Sequence, residues 1–445
     1  MPGRRLFGTD GIRGRALEWP LDEDTVARLG TALANELRAA GCEPAILLAG
    51  DTRASTETLA QWLASSFQGS GGEVTWGGVL PTPAVSQLLK GSECAAGVVI
   101  SASHNPADDN GIKVLGPGGE KIDDAVERHL EAQLRVVEPT PIDGLPVLDG
   151  RLADSYMEAL TATHSDPRPL DGLHVVLDCA NGAASDIGPA FFDRLGARVT
   201  VICASPDGGN INANCGATSP QLLVDRVRAE GADAGIALDG DADRAVLVDE
   251  HGRLLDGDDI LLAWARHLKR GDRLPGNRVV ATVMSNFGLE RSLNADGMTM
   301  KRCPVGDRAV WVAMGEEAIA LGGEQSGHII CSHYSVSGDG LLTGSHLLAI
   351  AAAEGRRVSE LSDLVRMPQL LLNVPAARRR PFDELPTVAA ELADVEARLK
   401  GRGRVLLRYS GTEPLARVMI EGRDEEAVSR HAGRLAEVIK RELGV

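Results

Sequence analysis

Apolar and polar positions alternate along the chain in blocks that predict strands followed by helices. Apolar residues recur at helical spacing between Asp22 and Gly41, and the apolar run 45–49 then predicts a strand. Residues 59–67 again show helical spacing. Strands that alternate with helices in this way are typical of a parallel sheet with helical crossovers.

The same order of elements occurs three times. A strand and turn are predicted at 45–53, 174–182 and 279–288. Each is followed by a strand, a polar loop and a strand, at 98–115, 235–248 and 318–331. We therefore predict three related α/β domains, each presenting one loop. This prediction rests on element order, because residue identity between the copies is weak.

The last part of the chain has a different pattern. From residue 369 it reads strand, helix, strand, loop, strand and helix, which predicts an α+β domain. Linkers are indicated at 138–150, 250–257 and 366–375. The predicted domains are 1–150, 151–252, 253–368 and 369–445.

Composition narrows the class of protein. Of the 445 residues 43% are hydrophobic but only 3% are aromatic, so aliphatic side chains must build the cores, which suits strands covered by helices. The net charge of −17 disfavours a nucleic acid or an anionic membrane as partner. No apolar stretch is long enough to span a membrane, and no signal peptide is evident, so we expect the cytoplasm.

Cysteine usage agrees with that compartment. The seven cysteines are odd in number and none is spaced as Cys-x-x-Cys, so neither a disulfide framework nor a zinc knuckle is indicated. We expect them to be small core residues of a protein in a reducing compartment.

The first candidate loop follows the apolar run 98–100. The Asn105-Pro106 step breaks the strand and leaves Ser103 and His104 at its carboxyl end, where open α/β sheets place their chemistry. A serine needs a base, a cation or a metal to carry a phosphoryl or acyl group, and His104 and Lys113 are the local candidates. The alternative is a polar turn between two strands.

The second loop carries Asp239, Asp241 and Asp243 on an otherwise apolar run. Three carboxylates so close together repel one another, so they predict a hard divalent cation, of which Mg²⁺ fits best. A calcium EF-hand is excluded because Arg244 stands where that loop needs glycine, and because both flanks read as strands. An acidic turn exposed to solvent is the remaining alternative.

Two further loops offer groups for a small anionic substrate. The loop 323–328 presents Glu324, Ser326 and His328, which suit the hydroxyls or amino group of a sugar. The loop 408–414 combines arginine with hydroxyls and glycine, which together form an anion site. A glycine-punctuated turn at 8–14 presents Arg13 in the same way. Plain turns are the alternative for each.

These loops together resemble the four signatures of the α-D-phosphohexomutases, in order and over the whole chain. The motifs are 101–106, 239–244, 323–328 and 408–414. The resemblance implies three related α/β sheet domains plus a C-terminal α+β domain around a central cleft. Ile100–Ser103, Gln325 and 306–308 are most similar to bacterial members that act on glucosamine phosphates. Ser219 and Tyr409 depart from the pattern, which affects fine substrate contacts only.

The resemblance implies an intramolecular phosphotransferase. Ser103 would be the phosphoserine, and Asp239, Asp241 and Asp243 would hold one Mg²⁺ per chain against its phosphate. Glucosamine 6-phosphate would become glucosamine 1-phosphate through the 1,6-bisphosphate, which also serves as activator, on the route to UDP-N-acetylglucosamine and the cell wall. The family is compatible with a homodimer.

The same resemblance distributes the remaining roles. Lys113, Arg13 and Arg244 would neutralise charge, and His104, Lys113 and Arg13 are open candidates for acid and base. The residues implied in binding sugar and phosphate are Glu324, Ser326, His328, Arg408, Ser410, Gly411, Thr412 and Arg417. Other activities stay open: a glucose or mannose phosphate mutase, against which Gln325 argues, a Mg²⁺-dependent phosphatase, or a non-catalytic sugar-phosphate sensor.

Overall fold

The computed structural model describes residues 5–142, 144–410 and 414–443. They form two compact units. The first comprises the described residues up to Thr282 together with Lys301–Ser362, and the second comprises Val283–Met300 together with the described residues from Asp363 onward. Within this described part of the chain, no helix is both long and apolar enough to cross a membrane.

The first sheet of the larger unit has six strands in the order β1-β2-β6-β5-β3-β4. These are β1 (Phe7–Gly8), β2 (Gly11–Arg15), β3 (Ala45–Gly50), β4 (Glu73–Val79), β5 (Ala96–Ile100) and β6 (Asp109–Leu115). Its helices are α1 (Glu23–Ala39), α2 (Thr56–Gly69), α3 (Thr82–Leu89) and α4 (Asp124–Gln133). The central strand β5 is buried along its whole length, which explains its continuous apolar run.

The glycine-punctuated turn predicted at 8–14 is largely a strand. Residues 11–15 form β2, which pairs antiparallel with β6, so Arg13 lies opposite Gly111. Gly11 has φ +78°, and a Cβ there would lie 2.3 Å from the carbonyl oxygen of Ile112. Glycine at this position therefore allows β2 and β6 to approach each other closely. From the sequence alone, the same glycine indicates a loop.

The second and third sheets belong to the next two stretches of chain. The second has the order β11-β10-β9-β7-β8 and the third β13-β12-β14-β15. Their strands are β7 (His174–Asp178), β8 (Arg198–Ile202), β9 (Ala234–Leu238), β10 (Ala245–Asp249), β11 (Leu254–Leu255), β12 (Arg278–Thr282), β13 (Thr299–Cys303), β14 (Leu321–Gly323) and β15 (Ile329–Cys331). The helices are α5 (Arg151–Thr161), α6 (Ile187–Arg194), α7 (Gln221–Glu230), α8 (Gly257–Arg270), α9 (Phe287–Ala295), α10 (Asp307–Glu316) and α11 (Gly340–Ala353).

One four-strand order is common to the three sheets. It runs β4-β3-β5-β6, β8-β7-β9-β10 and β13-β12-β14-β15. In each, the second and third strands are parallel and the fourth is antiparallel to the third. The relation predicted from element order is thus confirmed. The three candidate loops all join the third strand to the fourth, so each sheet delivers its loop from the same position.

The smaller unit contains an antiparallel sheet of order β16-β18-β17. Its elements are β16 (Gln369–Pro375), α12 (Pro386–Leu399), β17 (Gly403–Tyr409), β18 (Leu415–Gly422) and α13 (Glu425–Leu443). Apolar side chains of both helices pack with those of the sheet in one buried cluster. The predicted α+β character is confirmed, and the helix α9 also belongs to this unit.

Two other expectations need correction. The linker predicted at 250–257 contains β11, which pairs with β10. Four cysteines are buried as expected, but Cys42 is exposed and Cys94 and Cys203 are partly exposed. The four domain boundaries remain a prediction.

We expect Glu421→Ala to destabilise the smaller unit by about 3–5 kcal/mol, because it leaves a largely buried arginine unpaired. Glu421 is fully buried and accepts from Arg404 Nε at 2.6 Å, from the backbone N–H of Phe287 at 3.1 Å and from Asn286 Nδ2 at 3.4 Å. Urea unfolding measures the change. The exposed pair Arg398–Asp394 provides the control, since Asp394→Ala should lower the stability far less than Glu421→Ala does. Equal effects of the two substitutions would contradict this account.

Candidate active site

The loop between β5 and β6 places Ser103 in a buried, unusual backbone conformation. Ser103 is fully buried and has φ +52°, in the left-handed region that serine rarely adopts. Its backbone N–H donates to Ser101 Oγ at 2.9 Å, and Ser101 Oγ donates to Asp51 at 2.7 Å. Such conformations persist only where the surroundings fix them, and they concentrate at functional sites.

The buried side chain of Arg53 fixes this loop. Its guanidinium donates to the carbonyl oxygens of Ser103 at 3.0 Å and Asn105 at 2.9 Å, and it also bonds two later carbonyls of the same loop and strand. It pairs with Asp51 at 2.9 Å, and neither side chain is exposed to solvent. Asn212 Nδ2 donates to Ser103 O as well, at 3.0 Å. The loop carbonyls thus converge on one planar cation.

Sequence reasoning missed Arg53, because 51–53 was interpreted only as a turn. One signal was present. These polar residues follow a buried parallel strand, β3, which lies beside β5 in the sheet, so their side chains belong to the same edge as Ser103.

The loop between β9 and β10 brings three carboxylates together. Asp239, Asp241 and Asp243 are all buried, and one oxygen from each lies within 4.8 Å of the others. Ser103 Oγ donates to Asp239 Oδ2 at 2.6 Å. Among the described residues, Asp241 Oδ1 and Asp243 Oδ1 have no hydrogen-bond partner. Buried oxygen atoms that lack a donor, in a cluster of hard ligands, fit a divalent cation such as Mg²⁺.

A buried lysine and a partly buried arginine lie beside these carboxylates. Lys113 Nζ lies 2.7 Å from Asp241, 3.7 Å from Asp243 and 3.3 Å from Asp10. Burial opposes its charge, but Asp10 and the two other carboxylates raise the pKa of Lys113 well above its usual range. This lysine therefore stays protonated and serves as a fixed charge.

Arg244 is the second cation. Its Nε lies 3.7 Å from Asp243 Oδ1 and 4.0 Å from Asp239 Oδ2. Even so, burial and then the charges of Asp243 and Asp241 hold the pKa of Asp239 well above its usual value. The three carboxylates are therefore not equivalent, since Lys113, His328 and Arg244 hold the pKa of Asp243 well below its usual value in spite of burial.

His104 and Arg13 complete the surroundings of Ser103. His104 Nδ1 lies 3.3 Å from Ser103 Oγ and 3.1 Å from Arg244 Nη1. Burial and then Arg244 lower the pKa of His104 to about 4. Arg13 donates to Asn105 Oδ1 at 3.3 Å and forms an ion pair with Asp10.

The loop between β14 and β15 places its three candidates differently. Glu324 is buried and accepts from the backbone N–H of Gly306 at 3.0 Å, whereas Ser326 is exposed. His328 is buried, and its Nε2 accepts from the backbone N–H of Gly338 at 3.1 Å, which leaves Nδ1 at 3.5 Å from Asp243. Both ring nitrogens of His328 therefore have a polar neighbour within the protein.

The site also contains polar residues that no single sequence motif indicated. Lys121 forms ion pairs with Asp10 and with Asp307. Thr82 Oγ1 donates to Asp241 Oδ2, and the Thr82 backbone N–H donates to the carbonyl of the same aspartate at 3.0 Å. These residues come from distant parts of the chain, so their meeting is visible only in the fold.

The fourth loop lies in the smaller unit. Arg408 and Arg417 are directly opposite each other on β17 and β18, and Ser410 N–H donates to Leu415 O at 2.9 Å. Burial and then the charge of Arg417 lower the pKa of Arg408. Like charges opposite each other are destabilising, and a bound anion relieves that repulsion. The other two candidates, Gly411 and Thr412, lie outside the described residues.

Family models match nearly the whole chain in order. Four models of phosphoglucomutase/phosphomannomutase match: alpha/beta/alpha domain I at residues 4–139, domain II at 154–252, domain III at 256–367 and the C-terminal domain at 371–438. The chain belongs to this family. The resemblance inferred from the four motifs is therefore confirmed, and so is the fold class.

Individual relatives narrow the comparison. A phosphoglucosamine mutase of Solibacter usitatus is 45% identical over 443 residues, 99% of each chain. The crystal structure of a phosphoglucomutase/phosphomannomutase family protein from Burkholderia thailandensis has a TM-score of 0.81 at 24% identity, covering 99% of this chain and 98% of the other. Aspergillus fumigatus N-acetylphosphoglucosamine mutase, in complex with GlcNAc-6P and magnesium, has a TM-score of 0.66 at 19% identity, covering 100% and 97%.

Replacement of Arg53 tests whether this one side chain holds the Ser103 loop. Arg53→Met leaves Asp51 and the loop carbonyls without their donor, so we expect the free energy of unfolding to fall by about 3–5 kcal/mol. Arg53→Lys should recover only part of this loss, because lysine keeps the charge but not the planar fork. Urea unfolding gives both values. Arg15→Met, at a largely exposed arginine of the same sheet, is the control, and wild-type stability of Arg53→Met would refute the assignment.

Proposed function

We propose that this enzyme interconverts glucosamine 6-phosphate and glucosamine 1-phosphate through phosphorylated Ser103 and a 1,6-bisphosphate. The observation that carries the proposal is the buried Ser103 hydroxyl, 2.6 Å from Asp239 in a cluster of three carboxylates. A full-length relative that is named phosphoglucosamine mutase supports the amino sugar as substrate. The role would be supply of amino-sugar precursors for UDP-N-acetylglucosamine and the cell wall, in the cytoplasm.

Asp239, Asp241 and Asp243, together with phosphorylated Ser103, are the proposed ligands of one Mg²⁺ per chain. When bound, the ion would withdraw negative charge from the phosphoryl group during transfer. The partnerless oxygens of Asp241 and Asp243 support this assignment. A relative solved with magnesium has the same fold.

In the forward direction, the O1 hydroxyl of the sugar attacks the phosphorus on Ser103. A P–O1 bond forms, the P–Oγ bond breaks, and the O1 proton is exchanged for one on Ser103 Oγ. The bisphosphate then presents its 6-phosphate, whose transfer to Ser103 restores the enzyme and frees the 1-phosphate. No phosphate is lost. A sugar 1,6-bisphosphate is the proposed activator, because it can phosphorylate an enzyme molecule that has lost its phosphoryl group.

The residues around Ser103 have different proposed roles in this transfer. Lys113, Arg244 and Arg13 would neutralise charge on the three oxygens of the moving group, which is the main task in phosphoryl transfer. His104 is our candidate for moving the proton, because its Nδ1 lies 3.3 Å from Ser103 Oγ. Lys113 is a poor base here, since three carboxylates keep it protonated.

Substrate binding is assigned to the remaining loops. Glu324 and Ser326 are proposed for the ring hydroxyls or amino group, with His328 orienting Asp243 behind them. The phosphate that is not reacting is assigned to Arg408, Ser410, Gly411, Thr412 and Arg417. The repulsion between Arg408 and Arg417 supports an anion there.

Steady-state turnover tests this function. With Mg²⁺ and a trace of glucosamine 1,6-bisphosphate, we expect kcat/KM to be highest for glucosamine 6-phosphate when glucose and mannose 6-phosphates are measured beside it. Ser103→Ala should lose turnover, whereas Ser92→Ala, on a surface turn, should not. A preference for glucose or mannose would overturn the substrate, and release of inorganic phosphate in place of the isomer would identify a phosphatase.

Calorimetric titration with Mg²⁺ tests the cation site independently of turnover. Asp241→Asn removes a ligand charge, so we expect binding to weaken by at least about tenfold. Lys113→Met removes a neighbouring positive charge, so binding should not weaken, although turnover should fall. Asp225→Asn, on the surface of α7, is the matched control. Unchanged affinity in Asp241→Asn would place the ion elsewhere.

A further inference from the structure

A second cluster of metal-ligating atoms lies at the edge of the second sheet. Asp178 ends β7, Cys203 follows β8, and Cys215 lies in the connection to α7. One ligand atom from each of these residues lies within 4.8 Å of the other two. The absence of a Cys-x-x-Cys spacing argued against a thiol site, but the sheet brings together two cysteines that are twelve positions apart.

We propose that Asp178, Cys203 and Cys215 form a binding site for a thiophilic divalent cation such as Zn²⁺. In a tetrahedral zinc site, bonds of about 2.0–2.3 Å separate the ligand atoms by roughly 3.4–3.8 Å. The observed cluster is therefore close to the size required. On binding, both thiols release a proton to solvent and form metal–sulfur bonds. The site is distinct from the carboxylate cluster, whose oxygen ligands suit a hard cation.

Burial and hydrogen bonds hold these three candidate ligands in position. Asp178 and Cys215 are buried, whereas Cys203 is partly exposed to solvent. In the proposed site, water would supply the fourth ligand. The Asp178 oxygens accept from the backbone N–H groups of Ala180 at 2.9 Å and Gly216 at 2.8 Å. Asn181 Nδ2 contacts Cys215 Sγ at 3.9 Å. Such outer contacts orient metal ligands.

The cluster is also connected to the Ser103 loop. Asn212, three residues before Cys215, donates through its backbone N–H to Ala180 O at 2.8 Å and through its side chain to Ser103 O at 3.0 Å. A cation that joins Cys215 to Asp178 and Cys203 would fix the segment that supports Ser103. The proposal rests on the cluster itself and does not depend on which sugar the enzyme takes.

The test uses the full chain in excess Mg²⁺, so that the cluster of Asp239, Asp241 and Asp243 is already occupied. Titration with Co²⁺ should produce a thiolate-to-cobalt charge-transfer absorption that saturates at one ion per chain and is displaced by Zn²⁺. We expect this absorption to be lost in Cys203→Ser and in Cys215→Ser. It should persist in Cys94→Ser, a partly exposed cysteine outside the cluster. No absorption in the wild type, or absorption unchanged in both cluster variants, would overturn the proposal.

A second measurement uses only the wild-type protein, so its result does not depend on whether the variants fold. Zn²⁺ should slow alkylation of Cys203 by iodoacetamide, whereas Mg²⁺ should leave the rate unchanged, and peptide mapping identifies the modified residue. Equal rates with and without Zn²⁺ would refute the site. So would a disulfide between Cys203 and Cys215 that forms in place of metal binding.

Discussion

The crowding of three buried carboxylates in one six-residue loop is the constraint on which the active site depends. Each buried ion costs several kcal/mol in desolvation, and Asp239, Asp241 and Asp243 also repel one another. One neutralising charge, Arg244, comes from the end of the same loop, and the other, Lys113, comes from β6 of the first sheet. The loop between β9 and β10 can therefore be stable with three buried carboxylates only where the first sheet meets the second.

Backbone contacts make that meeting rigid. Ala54 N–H donates to Gly208 O at 3.0 Å, and Thr52 Oγ1 donates to Asn181 O at 2.5 Å. Together with the bond between Thr82 and Asp241, these contacts join the edges of the two sheets that carry Ser103 and the three aspartates. Transfer of a phosphoryl group requires precise placement, and sites built on rigid elements hold their side chains better than free loops do.

Much of this arrangement could be predicted from sequence, because it follows from local patterns. Buried parallel strands give continuous apolar runs. Ser103 and Asp239 were predicted as site residues because they follow such runs, and their side chains lie 2.6 Å apart. The contacts of Arg53 with carbonyls about fifty positions away have no local signature, since an arginine in a turn is ordinary. The contacts of His328 have no local signature either, because the backbone amide of Gly338 and the carboxylate of Asp243 come from other loops.

The smaller unit is built from two separate stretches of the chain, and this has a consequence for its folding during protein synthesis. Its helix α9 leaves the ribosome long before β18, since Glu421, which accepts from the backbone N–H of Phe287, follows 134 positions later. Domains generally fold as they emerge, but this one cannot be completed until the last strands are made. The hydrogen bond between Phe287 and Glu421, with the ion pair between Arg404 and Glu421, therefore forms only after nearly the whole chain has been made.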